Sequence, residues 1–128
     1  MTKIIVDSFA WIEYLTATNK GSTVKKLIED ENNEIFTHIL SLAEISSRLS
    51  RSGIKPEESI NIISLNSIII NLNNIDSTNA GKLHSEIREK IKDFGLVDAF
   101  VLLMSRRLNA KVLTGDSHFK NFKEAIMI

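Results

Sequence analysis

Short apolar runs that suit strands alternate with longer amphipathic stretches along the whole chain. That alternation restricts the fold more than any other feature. Lys3 to Val6, Glu34 to Thr37, Ser67 to Leu72, Lys111 to Leu113 and Ala125 to Ile128 read as strands. Helical periodicity fills the intervals. The first helix is expected to be capped by Ser8, with Phe9, Ile12 and Leu15 on its buried side. Gly21 is expected to break the chain before a second helix through Val24, Leu27 and Ile28. A third runs from about His38 to Arg51 and stops at Gly53; a fourth, Glu57 to Leu65, follows Pro56. Asp76 or Ser77 opens a fifth, which reaches Ile91 before Gly95 stops it. The sixth, Asp98 to Leu108, is apolar over most of its surface and reads as buried. Strand–helix alternation predicts an α/β fold, a three-layer α/β/α sandwich around a parallel sheet.

A length of 128 residues suits one domain spanning 1–128, with no repeat or linker. There are no cysteines, which excludes disulfides, thiolate nucleophiles and Cys-based zinc sites and fits a reducing cytoplasm. No apolar run reaches membrane-spanning length, and the N-terminus lacks the pattern of a signal peptide. A cytoplasmic protein with no membrane partner is expected. The formal net charge of +0 argues against a grip on nucleic acid by charge alone. It leaves room for a site where metal ions supply the positive charge.

The acids are placed unevenly. In an open parallel sheet, ligands bind beyond the carboxyl ends of the strands. Asp7 stands at the end of the first strand. Asp116 follows the fourth, in "KVLTGDSHF". Glu44 interrupts the apolar helix "HILSLAEISSRL", and Asp98 opens the most hydrophobic helix. Each acid alone has an ordinary explanation: Asp7 and Asp98 as caps, Glu44 facing solvent, Asp116 shaping a turn. Together they suggest four carboxylates in one pocket. Such a cluster is self-repelling without cations, and hard oxygen ligands suit Mg²⁺ or Mn²⁺. A metal of this kind activates water and offsets charge in phosphodiester cleavage, chemistry that needs no Cys, Ser triad or histidine base.

The segments carrying these acids look alike to one family. "IIVDSFAWIEYL" resembles the first motif of PIN-domain ribonucleases, "SLAEISSRL" the second, and "GLVDAFVLLMSRRLNAKVLTGDSHF" the third and fourth together. Their order and spacing match across nearly the whole chain, and the small size resembles a VapC-type toxin of a toxin–antitoxin pair. The resemblance implies a sheet order of about 3-2-1-4-5 and Mg²⁺- or Mn²⁺-dependent endoribonuclease activity. It implies a homodimer and a cognate antitoxin that blocks the acidic pocket. By motif position, Asp7, Glu44, Asp98 and Asp116 carry over as metal-binding and catalytic acids. Thr114 matches the family's hydroxyl residue two positions before the fourth acid, and Ser8 beside Asp7 is a second supporting residue. The fourth acid is the family's least constant, so Asp116 is expected to tune a second metal more than anchor the first. One ion and two both remain open.

Among other residues, Arg48 lies one helical turn after Glu44 and is the first candidate for an RNA contact. Arg51, Arg106, Arg107, Lys111, Lys120 and Lys123 are further basic candidates. His118 is expected to be a surface turn residue that could reach an RNA phosphate, His38 a helix-terminal residue near the pocket, and His84 solvated. Trp11 and Tyr14 are expected to pack. Three alternatives stand beside the toxin reading: a stand-alone PIN nuclease in RNA processing, a non-catalytic binding module on a flavodoxin-like sheet, and a phosphoaspartyl enzyme with Asp7 as nucleophile. The binding module lacks a phosphate-binding glycine loop after the first strand. The phosphoaspartyl enzyme lacks the late-strand lysine.

Overall fold

The computed structural model describes all 128 residues. Five strands, β1 (Thr2–Val6), β2 (Asn33–His38), β3 (Ile68–Ile70), β4 (Lys111–Thr114) and β5 (Ala125–Met127), form one sheet. Every pairing is parallel and the order is β3-β2-β1-β4-β5, as the resemblance implied. Six helices cover it: α1 (Ser8–Leu15), α2 (Asn19–Glu29), α3 (Ile39–Arg51), α4 (Glu57–Asn66), α5 (Asn74–Arg88) and α6 (Leu96–Leu108).

Alternation along β1 builds two cores. Ile4 and Val6 face one side with Trp11, Val24, Ile45, Leu49 and Ile63 from α1 to α4. Ile5 faces the other with Phe94, the α6 residues Val101, Leu102 and Met104, and Phe119. Successive strand side chains point to opposite faces, so a central strand covered on both sides is apolar throughout. Trp11 is fully buried, and its indole N–H donates to Thr37 Oγ1 at 3.0 Å, which makes it a packing residue. Tyr14 meets it edge-on.

Several local expectations change. Asp7 caps α1, not Ser8: the Asp7 side chain accepts from Ala10 N, and Ser8 is the first helical residue. Gly21 does not break the chain. It lies inside α2, where a Cβ would come 2.0 Å from the Glu13 carbonyl oxygen, so glycine lets α2 approach α1. The break falls earlier, at Ala17 (φ 54) and the Thr18 cap. The third strand is shorter than Ser67 to Leu72, because β3 is an edge strand paired only over Ile68–Ile70. Asn73, whose side chain accepts from Asp76 N, starts α5 before Asp76. α5 ends at Arg88, and Gly95 is the N-cap of α6. No helix is long and apolar enough to cross a membrane.

Candidate active site

Sheet register sets the site. Val6 pairs with Leu113, and Asp7 N donates to the Leu113 carbonyl at 3.2 Å. The residues just past these two neighbouring strands, Asp7 and the Thr114–Asp116 turn, therefore emerge together at the carboxyl edge of the sheet. α6 begins at that edge and carries Asp98 in its first turn, while α3 brings Glu44 from the opposite face of the sheet. All four acids line one pocket of about 390 Å³, together with Ser8, Phe9, Ile12, Ile45, Arg48 and Arg51.

The acids differ in setting. Asp7 is the most deeply placed, only 5% exposed. Burial pushes its carboxyl up to about 7; the Thr114 hydroxyl and Ala10 N–H pull it down, and Asp98 and Asp116 push it further up. Asp98 is half-buried at the third position of α6, with Gly95 N donating to its Oδ2 at 3.3 Å. Burial, then repulsion from Asp116 and Glu44, lifts it to about 6 despite the Gly95 N–H and the nearby His118 ring. Glu44 is not a buried interruption of an apolar helix. The buried stripe of α3 is Ser41, Ile45 and Leu49, and Glu44 stands exposed beside it on the pocket wall. Its carboxyl is also raised, by desolvation, with Ser8 opposing and Asp116 reinforcing the shift.

The turn between β4 and Asp116 is held from two sides. Asp116 N donates to Thr114 Oγ1 at 3.0 Å, and Thr114 is fully buried. Gly115 lies under the Phe9 ring, and a Cβ there would come 2.2 Å from a ring carbon. Asp116 then caps the short 3-10 turn Ser117–Phe119, accepting from His118 N at 2.9 Å. Phe119 anchors that turn in the core.

Arg48 and Arg51 line the pocket, and neither takes part in an ion pair. Arg51 is tethered to Ser47. Arg106 instead pairs with Glu124, and Arg107 with the buried Asp76. His38 is buried as the cap of α3 and packs against Phe100, outside the pocket lining. His84 is not simply solvated, since its Nε2 bonds the Phe94 carbonyl at 2.9 Å. His118 is more than a surface turn residue. One of its ring nitrogens and one oxygen each of Asp98 and Asp116 all lie within 4.8 Å of one another. Position two residues after the fourth acid was the available sequence signal for it; the fold of the 3-10 turn supplies the rest.

Three carboxyls raised by burial and, secondarily, by neighbouring carboxylates form with Asp116 a site short of positive charge. Their all-oxygen donor set suits a hard divalent cation, with Asp7, Glu44, Asp98 and Asp116 as the available protein ligands.

Residues 4–125 match the family model described as the PIN domain. No curated protein matches the chain by sequence. Among solved structures, the chain is similar to VapBC2 from Rickettsia felis bound to a promoter DNA fragment, at 18% identity and a TM-score of 0.73, covering 99% of this chain and 98% of that one. It is similar to Mycobacterium tuberculosis VapC20, a toxin that cleaves the sarcin–ricin loop, at 19% identity and 0.72, covering 94% and 97%. It is also similar to the DNA-bound VapBC of Salmonella typhimurium, at 13% and 0.71, covering 100% and 98%.

Proposed function

The chain belongs to the PIN-domain family, and from that premise we propose that it is a metal-dependent endoribonuclease, the toxin of a type II toxin–antitoxin pair. The observation that carries this reading is the convergence of Asp7, Glu44, Asp98 and Asp116 on one pocket at the carboxyl edge of the sheet. Burial of these carboxyls, reinforced by their mutual repulsion, supports a Mg²⁺ or Mn²⁺ partner. Such an ion, when bound, activates water and offsets the negative charge that develops on the scissile phosphate.

The chain's own residues divide the remaining work. Asp7 and Asp98, raised to about 7 and about 6, must be ionised to ligate, so metal binding would become weaker as pH falls through this range. Thr114 fixes the fourth acid through its backbone amide and steadies the first. The Ser8 side chain favours the ionised form of Glu44. Arg48 and Arg51 offer guanidinium groups to RNA phosphate oxygens entering the pocket, and so orient the bond to be cut. Phe9 and Ile12 give the pocket an apolar side that limits access of bulk water.

A cognate antitoxin and a second copy of the chain are the proposed partners. The similarity to VapBC assemblies, over nearly the full length of both chains, supports the antitoxin. The test is cleavage of pooled tRNA and rRNA with Mn²⁺, with EDTA, and by Asp98→Asn. Metal-dependent cleavage that the substitution abolishes is expected. Equal cleavage by wild type and variant would undo the assignment.

A further inference from the structure

We propose that His118 joins Asp98 and Asp116 as a nitrogen ligand of the pocket's divalent ion, so that the site favours Mn²⁺ over Mg²⁺ more than its carboxylates alone would. This rests on the metal-dependent reading above and adds a residue of a different chemical type to it.

The position of His118 is fixed by the fold. Phe119 next to it is buried, and His118 N donates to Asp116 Oδ1 at 2.9 Å. The ring follows the backbone, with Nδ1 3.2 Å from the same oxygen. A ring nitrogen of His118 and an oxygen from each of Asp98 and Asp116 lie within 4.8 Å of one another. Two donors at roughly 2.1 Å from a shared ion are at most about 4.2 Å apart, so small side-chain rotations close the set.

A neutral imidazole keeps one nitrogen lone pair, and a neighbouring carboxylate orients it, an arrangement that recurs at metal sites. Nitrogen donors suit transition ions more than Mg²⁺, which prefers oxygen and holds its water. No other histidine can take the part. His38 is buried as a helix cap and His84 is bonded to the Phe94 carbonyl.

The experiment uses full-length protein labelled with ¹⁵N-histidine and loaded with Mn²⁺, read by electron spin-echo spectroscopy. Coupling to a histidine nitrogen is expected in wild type and absent in His118→Ala. In parallel, Mn²⁺ and Mg²⁺ are titrated into both proteins. His118→Ala is expected to weaken Mn²⁺ about tenfold and to leave Mg²⁺ within about twofold. Loaded wild type without histidine coupling overturns the proposal, as does a variant that weakens both ions equally, which would leave His118 only orienting Asp116. Wild type that binds neither ion removes the metal pocket itself, a separate failure that takes the His118 ligand with it.

Discussion

The Asp116 amide donates to Thr114 Oγ1 at 3.0 Å, and the same hydroxyl lies against Asp7 and favours its ionised form. One buried side chain thus ties the first acid to the fourth across two neighbouring strands. Thr114→Val keeps the shape and removes the tie. It is expected to cost about 1–2 kcal/mol of stability, by leaving buried polar groups unpaired. Cleavage should fall by about tenfold or more, while Thr114→Ser should retain most of both. Urea denaturation and initial cleavage rates check this. A valine variant as active as wild type contradicts the role.

Asp7 gives the metal-free protein an inverted pH response. A carboxyl raised on folding adds stability below its unfolded pKa and loses that stability as pH rises through its folded value. Asp7, at about 7, and Asp98, at about 6, both have this sign. With EDTA present, the melting temperature should therefore rise as pH falls from 8 toward 6.5, below which the buried His38, its ring pushed down to about 4 by desolvation, begins to oppose the trend. Asp7→Asn keeps an oxygen for Ala10 N–H and removes the charge, so it should flatten much of that slope and stabilise the protein at pH 8. A metal-free melting temperature that falls over the same range contradicts the assignment.

Gly115 and Phe9 should behave as a pair. Gly115→Ala places a methyl against the Phe9 ring and is expected to destabilise by about 1–3 kcal/mol. In a Phe9→Ala background the same change should cost far less. A double-mutant cycle with no coupling would show that another contact excludes the methyl.

Arg48 should act on RNA and not on the ion. Arg48→Ala is expected to weaken RNA binding by a catalytically dead Asp98→Asn protein and to lower the salt slope by roughly 0.7, the value for one phosphate contact on a single strand. Mn²⁺ affinity should stay unchanged. An unaltered salt slope would remove Arg48 from the RNA path.

The sheet and the two strand-end acids were legible because both signals are local. Val6–Asp7 and Thr114–Gly115–Asp116 each join an apolar run to a turn former. Glu44 was placed on the right helix, but its exposure depends on how α3 rolls against the sheet, and Ser41, Ile45 and Leu49 decide that. Gly21 misled for a similar reason. A glycine used for close helix approach looks, in one dimension, like a chain breaker. The contact between Phe9 and Gly115 and the bond from His84 to Phe94 join residues that no sequence period relates. His118 was visible next to Asp116, yet its distance to Asp98 exists only once α6 and the 3-10 turn meet.

The central claim is that four acids form one divalent-metal pocket. Mn²⁺ binding, followed by loss of the free-ion electron paramagnetic resonance signal at pH 7.5, tests it most directly in wild type, Asp7→Asn and Asp98→Asn. The account predicts that wild type binds and that each variant loses about tenfold or more in affinity. Wild type that leaves Mn²⁺ free, or variants that bind as tightly as wild type, would contradict it.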